Sequence, residues 1–230
     1  MREFDAVVRK QTFDIARQSL FHLGAAIAEL VNKTGNDDKF DAEAYNHYTL
    51  PRVAKIATLP DSKREIMIKN ISQISNHQNG RNTKSCFVSD FALGNIHLDP
   101  NDNIVFVDMG DASHGNLYDN LACINLNMNY VSMNKYYVTK QTTVLFNEFM
   151  RGTQLQDMNP VMFDLYKIRH LVNMTLFTEG LTPSAQNRIK KKLSLLANQY
   201  NIWRYTRHVQ KIIELNLKKL VDEDYPPRNL

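Results

Sequence analysis

Cysteine is nearly absent from these 230 residues, with only Cys86 and Cys123 present. Two thiols make neither a disulfide framework nor a zinc-ligand pattern, so they read as buried free thiols of a reducing cytosol. Long hydrophobic runs are missing too. None approaches the roughly 18 apolar residues of a membrane span, and the N-terminus MREFDAVVRK lacks the apolar core of a signal peptide. The chain therefore reads as cytoplasmic, with no membrane partner. A large excess of one charge sign is missing as well: the formal net charge is +4, too mild to argue nucleic acid without a localised patch. Internal repeats and low-complexity tracts do not occur. What is present is 43% hydrophobic and 10% aromatic sequence, enough for a core in one domain covering 1–230.

Helical spacing dominates that sequence. Phe13, Leu20, Leu23, Ile27, Leu30 and Val31 predict a buried scaffold helix over about 5–33, closed by Thr34-Gly35-Asn36. Ala25, Ala26 and Ala28 give it a face that another helix can approach. His22 within it reads as a packed or capping residue. Residues 36–48 are polar and acidic and read as a loop or short surface helix. Pro51 precedes a short periodic run at 53–59, and Pro60-Asp61-Ser62 opens a helix carrying Ile66, Ile68, Ile71 and Ile74. Residues 75–85 read as loop. A helical subdomain is expected over 138–221, as four helices at about 138–150, 160–177, 182–200 and 202–221, followed by a frayed tail.

One stretch, 87–122, breaks the pattern: FVSDFALGNIHLDPNDNIVFVDMGDASHGNLYDNLA. A loop at 89–94 carries Asp90 and leads to Asn95. Ile96-His97-Leu98 alternates as a strand, Asp99 to Asn103 is dense turn chemistry, and 104–107 is an apolar β-branched and aromatic strand. Asp108 follows it directly. Gly115-Asn116 reads as a turn, and a helix begins near Tyr118. Phosphoryl transfer needs a carboxylate to orient or deprotonate the attacking hydroxyl and hard oxygen ligands to hold magnesium on the phosphates. Asp90, Asn95 and Asp108 satisfy that need in order and spacing, with a hairpin to bring the third beside the first two. Asp and Asn are also ordinary turn residues, and Asp99, Asp102 and Asn103 read as that alone. Asp108 is harder to dismiss, since a carboxylate ending an apolar strand costs free energy unless paired or metal-bound. His97 reads as a strand-face residue and His114 as a turn residue.

These motifs resemble the catalytic core of the aminoglycoside phosphotransferase and choline kinase-like family, a branch of the protein-kinase-like fold. That family has a loop similar to H-G-D-x-H-x-x-N, a strand ending in I-D-W/F-(E/G)-D-A, and then G-(D/N)-x-x-Y-D-L-A. This chain reads V-S-D-F-A-L-G-N, F-V-D-M-G-D-A and G-N-L-Y-D-N-L-A. The resemblance implies a mainly α fold of α+β type: the helical C-terminal lobe of a kinase, with a small β-hairpin at the catalytic site. It implies Asp90 as the catalytic base or hydroxyl-orienting residue. Asn95 and Asp108 would bind the nucleotide through magnesium, Asp111 would support the metal site or loop, and Asp119 would be a structural carboxylate tying down the loop and the helix start. The cofactors would be ATP or GTP with Mg2+, and the acceptor a hydroxyl of a small molecule such as an aminoglycoside, sugar or amino alcohol.

Two departures stand out. The loop histidines of the pattern are replaced by Val88 and Ala92. The family's N-terminal β lobe, with its phosphate-covering loop and lysine, has no counterpart before the first helix, so a separate N-terminal lobe, or a truncated or non-catalytic kinase-like binding module, is the competing expectation. A third reading, nucleic-acid binding through Arg188 to Lys192 with Lys211, Lys218 and Lys219, is not favoured, because Trp203 and Tyr205 read as core. Glu148, Asp157, Asp164 and Glu179 are candidate acceptor-cleft acids whose plainer reading is helix-surface or capping charge.

Overall fold

The computed structural model describes residues 2–4, 12–110, 112–131, 139–155, 158–181 and 188–224. The chain is mainly helical with two small sheets, in agreement with the expected class. It divides into two compact units, residues 1–39 with 82–163 and residues 40–81 with 164–230.

The first unit holds every strand among the described residues. Its scaffold helix α1 spans Phe13–Thr34 and buries Ala16, Leu20, Leu23, Ile27 and Val31 at helical spacing. Helix α5, Thr139–Thr153, lies against it. Two glycines permit the close approach. A Cβ at Gly24 would collide with the carbonyl of Phe149, and a Cβ at Gly152 with the carbonyl of Phe21. The small-residue face expected of α1 is therefore real, though Gly24 rather than its alanines sets the closest distance. The Arg17 guanidinium donates to Glu148 Oε1 (2.5 Å) across the same pair, and Arg151 reaches Glu148 Oε2 at 2.8 Å. His22 is exposed and meets the ring of Phe21 edge-on, so it is neither packed nor a cap.

Strands β1 (Arg2–Glu3), β4 (Ile96–Leu98) and β5 (Ile104–Phe106) form one sheet in the order β1-β4-β5. Strands β2 (Asn36–Lys39), β3 (Asn82–Val88) and β6 (Ser113–Asn116) form the other, in the order β2-β3-β6. The second sheet corrects the sequence reading, which had a loop or short surface helix at 36–48, a loop at 75–85 and a turn at Gly115-Asn116. All four residues of β2 are exposed, so no apolar alternation announces it; pairing with β3 from Asn36↔Ser85 to Lys39↔Asn82 holds it. Helix α4, Leu117–Leu126, follows β6 and is capped by Asn116, whose Oδ1 accepts from Tyr118 N (3.0 Å). A π-turn at Asn127–Val131 continues it.

In the second unit, α2 (Ala42–Ala54) is capped by Asp41, which accepts from Ala44 N. The helix runs through Pro51, which falls at the start of the last turn, where only one ladder bond is lost. Helix α3 covers Asp61–His77: it starts as expected from Pro60 and continues through residues 75–77, which read as loop. Helix α6, Pro160–Gly180, begins in the first unit and contributes its later turns to the second. Tyr45 donates from its hydroxyl to Leu165 O (2.6 Å), and its ring packs with Phe40 and Tyr166. Residues 202–221 do not form a separate helix: α7 is continuous over Arg188–Asp224. No glycine or proline lies near 201, and an asparagine is tolerated in a helix interior. The start expected at Thr182-Pro183 lies outside the described residues.

Candidate functional site

The site is built where β3 leaves its sheet. Beyond Val88 the chain alternates outward and inward: Asp90 is exposed, Phe91 buried, Leu93 buried, Gly94 exposed. Phe91 packs edge-on against Phe106 of β5 (4.8 Å between centroids), so the loop is pegged onto the hairpin that follows it. A 3₁₀ turn, Leu93–Asn95, then brings Asn95 back towards the start of the loop.

Hydrogen bonds link Asp90 to Asn95 and Asn95 to Val107, the residue before Asp108. Asp90 Oδ1 accepts from Ala92 N (3.3 Å), fixing the carboxylate on its own loop. Asn95 donates from Nδ2 to the Asp90 carbonyl (2.9 Å), which turns the amide oxygen, a hard ligand, away from that bond. The hairpin register pairs Ile96 with Phe106. One step beyond, Val107 N donates to the Asn95 carbonyl (2.9 Å). The residue before Asp108 is thereby bonded to Asn95 itself. Asp108 has φ +55°, in the left-handed region that non-glycine residues seldom occupy, although aspartate does so more readily than most.

Asp108 is exposed, so the free-energy argument from an apolar strand end does not hold. Its left-handed backbone and its position mark it instead. It forms no ion pair among the described residues, which leaves its charge available to a cation. Among the described residues no group of three or more His, Cys, Asp or Glu forms a metal cluster, and Asp111 lies outside them. The donor set at hand is thus one amide oxygen and one carboxylate. Two protein oxygens suit magnesium, which keeps several waters and takes further oxygens from phosphates.

Two residues that the sequence reading missed hold the loop from behind. Cys123 on α4 donates its thiol to Asp90 Oδ1 (3.6 Å). Burial, with the charges of Asp90 and Asp119, pushes its pKa well up, so it stays a protonated donor. Asn120, fully buried, donates to the Phe87 carbonyl (3.0 Å) and towards Cys86 Sγ (3.7 Å), fastening β3 just ahead of the loop. The signal for Cys123 was present in its i,i+4 spacing from Asp119, which puts both on one helix face. Asp119 is half-buried there, while the helix start is capped by Asn116.

Other named groups are otherwise engaged. Asp99 accepts from Asn101 N, Asn103 N and Asn103 Nδ2, and the Asn103 side-chain bond leads in holding its carboxyl below the usual range. His97 Nε2 lies 3.2 Å from the Gly94 carbonyl, and His114 Nε2 lies 2.9 Å from the Thr34 carbonyl. Of the candidate cleft acids, Glu148 pairs with Arg17 and Arg151, and Asp164 pairs with Lys167 at 3.0 Å. Glu179 accepts from Ala57 N, Thr58 N and Thr58 Oγ1. All three do structural work; Asp157 lies outside the described residues. A cavity of about 200 Å³ in the same unit is lined by Leu117, Tyr118, Leu121, Leu155 and Met158. It faces the opposite side of α4 from Asp119 and Cys123 and is separate from the Asp90 loop.

No helix among the described residues is long and apolar enough to cross a membrane. No family model matches the sequence, and no curated protein is significantly similar to it. Among solved structures, the chain is similar to a glucosamine kinase (crystal form B), with a TM-score of 0.56 and 12% identity over 96% of this chain. It spans 58% of the length of that kinase. At this identity the likeness is one of fold: the chain adopts a fold shared with a sugar kinase.

Proposed function

We propose that the chain is the large lobe of an ATP-dependent phosphotransferase of the aminoglycoside phosphotransferase and choline kinase-like family, acting on a hydroxyl of a small cytoplasmic molecule. The observation that supports this reading is the bonded path from Asp90 through Asn95 to Val107, which ties the Asp90 loop to the strand that ends just before the left-handed Asp108. Similarity of fold to a glucosamine kinase supports it and suggests amino sugars among the first acceptors to try.

In this reading Asp90, oriented by Ala92 N and the Cys123 thiol, receives and aligns the acceptor hydroxyl. Asn95 Oδ1 and Asp108 would hold Mg2+ on the nucleotide phosphates, with Asp111 in support. The ion, when bound, neutralises charge developing on the transferred phosphoryl group. Burial, with the charges of Asp90 and then Asp119, keeps the Cys123 thiol protonated, and Asp119 serves as a structural carboxylate near the start of the helix. The phosphoryl donor in this reading is ATP or GTP. Magnesium-dependent transfer from radiolabelled ATP, screened over amino sugars, aminoglycosides and amino alcohols, tests this. Asp90→Asn is expected to lower transfer by at least about a hundred-fold. Transfer that survives both Asp90→Asn and Asp108→Ala would contradict the assignment.

A second reading, a kinase-like binding module without turnover, is favoured by Val88 and Ala92. Val88 is buried against Gly115 and offers an acceptor nothing to bond. Nucleotide binding without transfer to any hydroxyl would select it.

A further inference from the structure

Trp203 was expected in the core, and the structure puts it on the surface. It is 51% exposed on α7, beside Tyr200 at 58%, their ring centroids 5.9 Å apart and their planes 32° from parallel. The Arg207 guanidinium lies 5.1 Å from the Trp203 ring centroid. The indole borders a groove of about 510 Å³ whose other polar lining is Thr58, Lys63, Gln199, Thr206, Arg207 and Gln210, with Leu59 and Pro60 beside them. That volume is within the range of small-ligand sites, and both charged residues lining it are cations.

The charge extends along the helix. Tyr200, Trp203, Arg207, Lys211 and Lys218 recur at helical spacing on one face, about 27 Å long at 1.5 Å per residue. Glu214 is the one acid among them. Lys63, Arg207, Lys211, Lys218 and Lys219 are exposed, and none pairs with a carboxylate among the described residues. A surface with a flat aromatic platform, a row of uncompensated cations and amide side chains at the groove is complementary to one kind of partner. The partner must carry repeated negative charge, flat faces to stack and polar edges to bond.

We propose that this face of α7, with the groove against residues 58–63, binds single-stranded nucleic acid, a base stacking on Trp203 and phosphates following Arg207 and Lys211. An acidic peptide would satisfy the charge and leave the indole bare. A duplex hides its base faces, whereas a single strand offers both features. The inference is independent of the phosphotransferase reading, since none of its residues belongs to the Asp90 hairpin.

Trp203 is the sole tryptophan of the chain, so its fluorescence reports stacking directly. Titrating the full chain with a mixed-sequence single-stranded 12-mer is expected to quench it, with affinity falling as salt rises. Trp203→Ala should weaken binding of a fluorescein-labelled 12-mer about five-fold or more, while Trp203→Phe restores most of it. Arg207→Gln should lower the salt slope by about one. Circular dichroism of these exposed-site variants checks that they fold. Absence of quenching, equal affinity for a duplex of the same sequence, or adenosine monophosphate binding as tightly as the 12-mer would each overturn the proposal.

Discussion

Neighbouring aspartates of the hairpin differ in what surrounds them. Asp102 (φ +63°) and Asp108 (φ +55°) share the left-handed backbone, but only Asp108 lies beyond the strand bonded to Asn95. A non-glycine residue in that region costs about 1 kcal/mol, so glycine at either position is expected to leave thermal stability equal or higher. Phosphoryl transfer should survive Asp102→Gly and be lost in Asp108→Gly. A thermal melt and an activity assay on the two variants check both halves. The cysteines allow a second test. Burial raises the Cys86 pKa to about 11, and Cys123 is raised well above its ordinary value by burial and two carboxylates. Neither thiol is expected to react appreciably with iodoacetamide at pH 8 in the folded chain, and both should react in denaturant; rapid labelling of the native chain would show the Cys123–Asp90 bond to be absent.

Elements show why some of this was readable from sequence and some was not. Asp90, Asn95 and Asp108 lie within one loop and one hairpin, so spacing alone brought them together. Asn120 and Cys123 reach residues 33 positions away, and only folding reveals that. Strand β2 (Asn36–Lys39) has no apolar pattern because both faces meet water. Trp203 looked like core because helical spacing locates a face without saying whether anything covers it. The α1–α5 crossing gives an element-scale expectation: Gly24→Ala forces backbone apart at a contact with Phe149 and should lower stability by about 1–3 kcal/mol. Urea titration measures it; an unchanged midpoint would mean that the helices are not in close contact.

For the whole molecule, the two units are expected to respond differently to acid. His208 is held down to about 4, chiefly by burial and then by Lys167. A histidine kept neutral by the fold contributes stability that is full above its unfolded pKa, near 6.5, and is lost as pH falls toward 4. Glu148 is also held low, first by its hydrogen bond from Arg17. Its contribution is present above about 4.5, the ordinary value for a glutamate, and is lost only as pH falls further, through its folded pKa. The unit that carries His208 should therefore weaken first on acidification, and the α1–α5 pair later. Amide exchange followed by mass spectrometry at pH 7, 5.5 and 4 resolves the order, and simultaneous loss would contradict it.

In the proposed function, Asn95 and Asp108 hold a divalent ion together with a nucleotide. Manganese, which takes the same oxygen ligands as magnesium, makes it measurable without knowing the acceptor. Electron paramagnetic resonance of the chain with Mn2+ should show binding that strengthens when ATP is added, is lost in Asn95→Ala and in Asp108→Ala, and persists in Asp102→Gly. Manganese binding that is indifferent to ATP, or unchanged in both the Asn95 and Asp108 variants, would contradict the account.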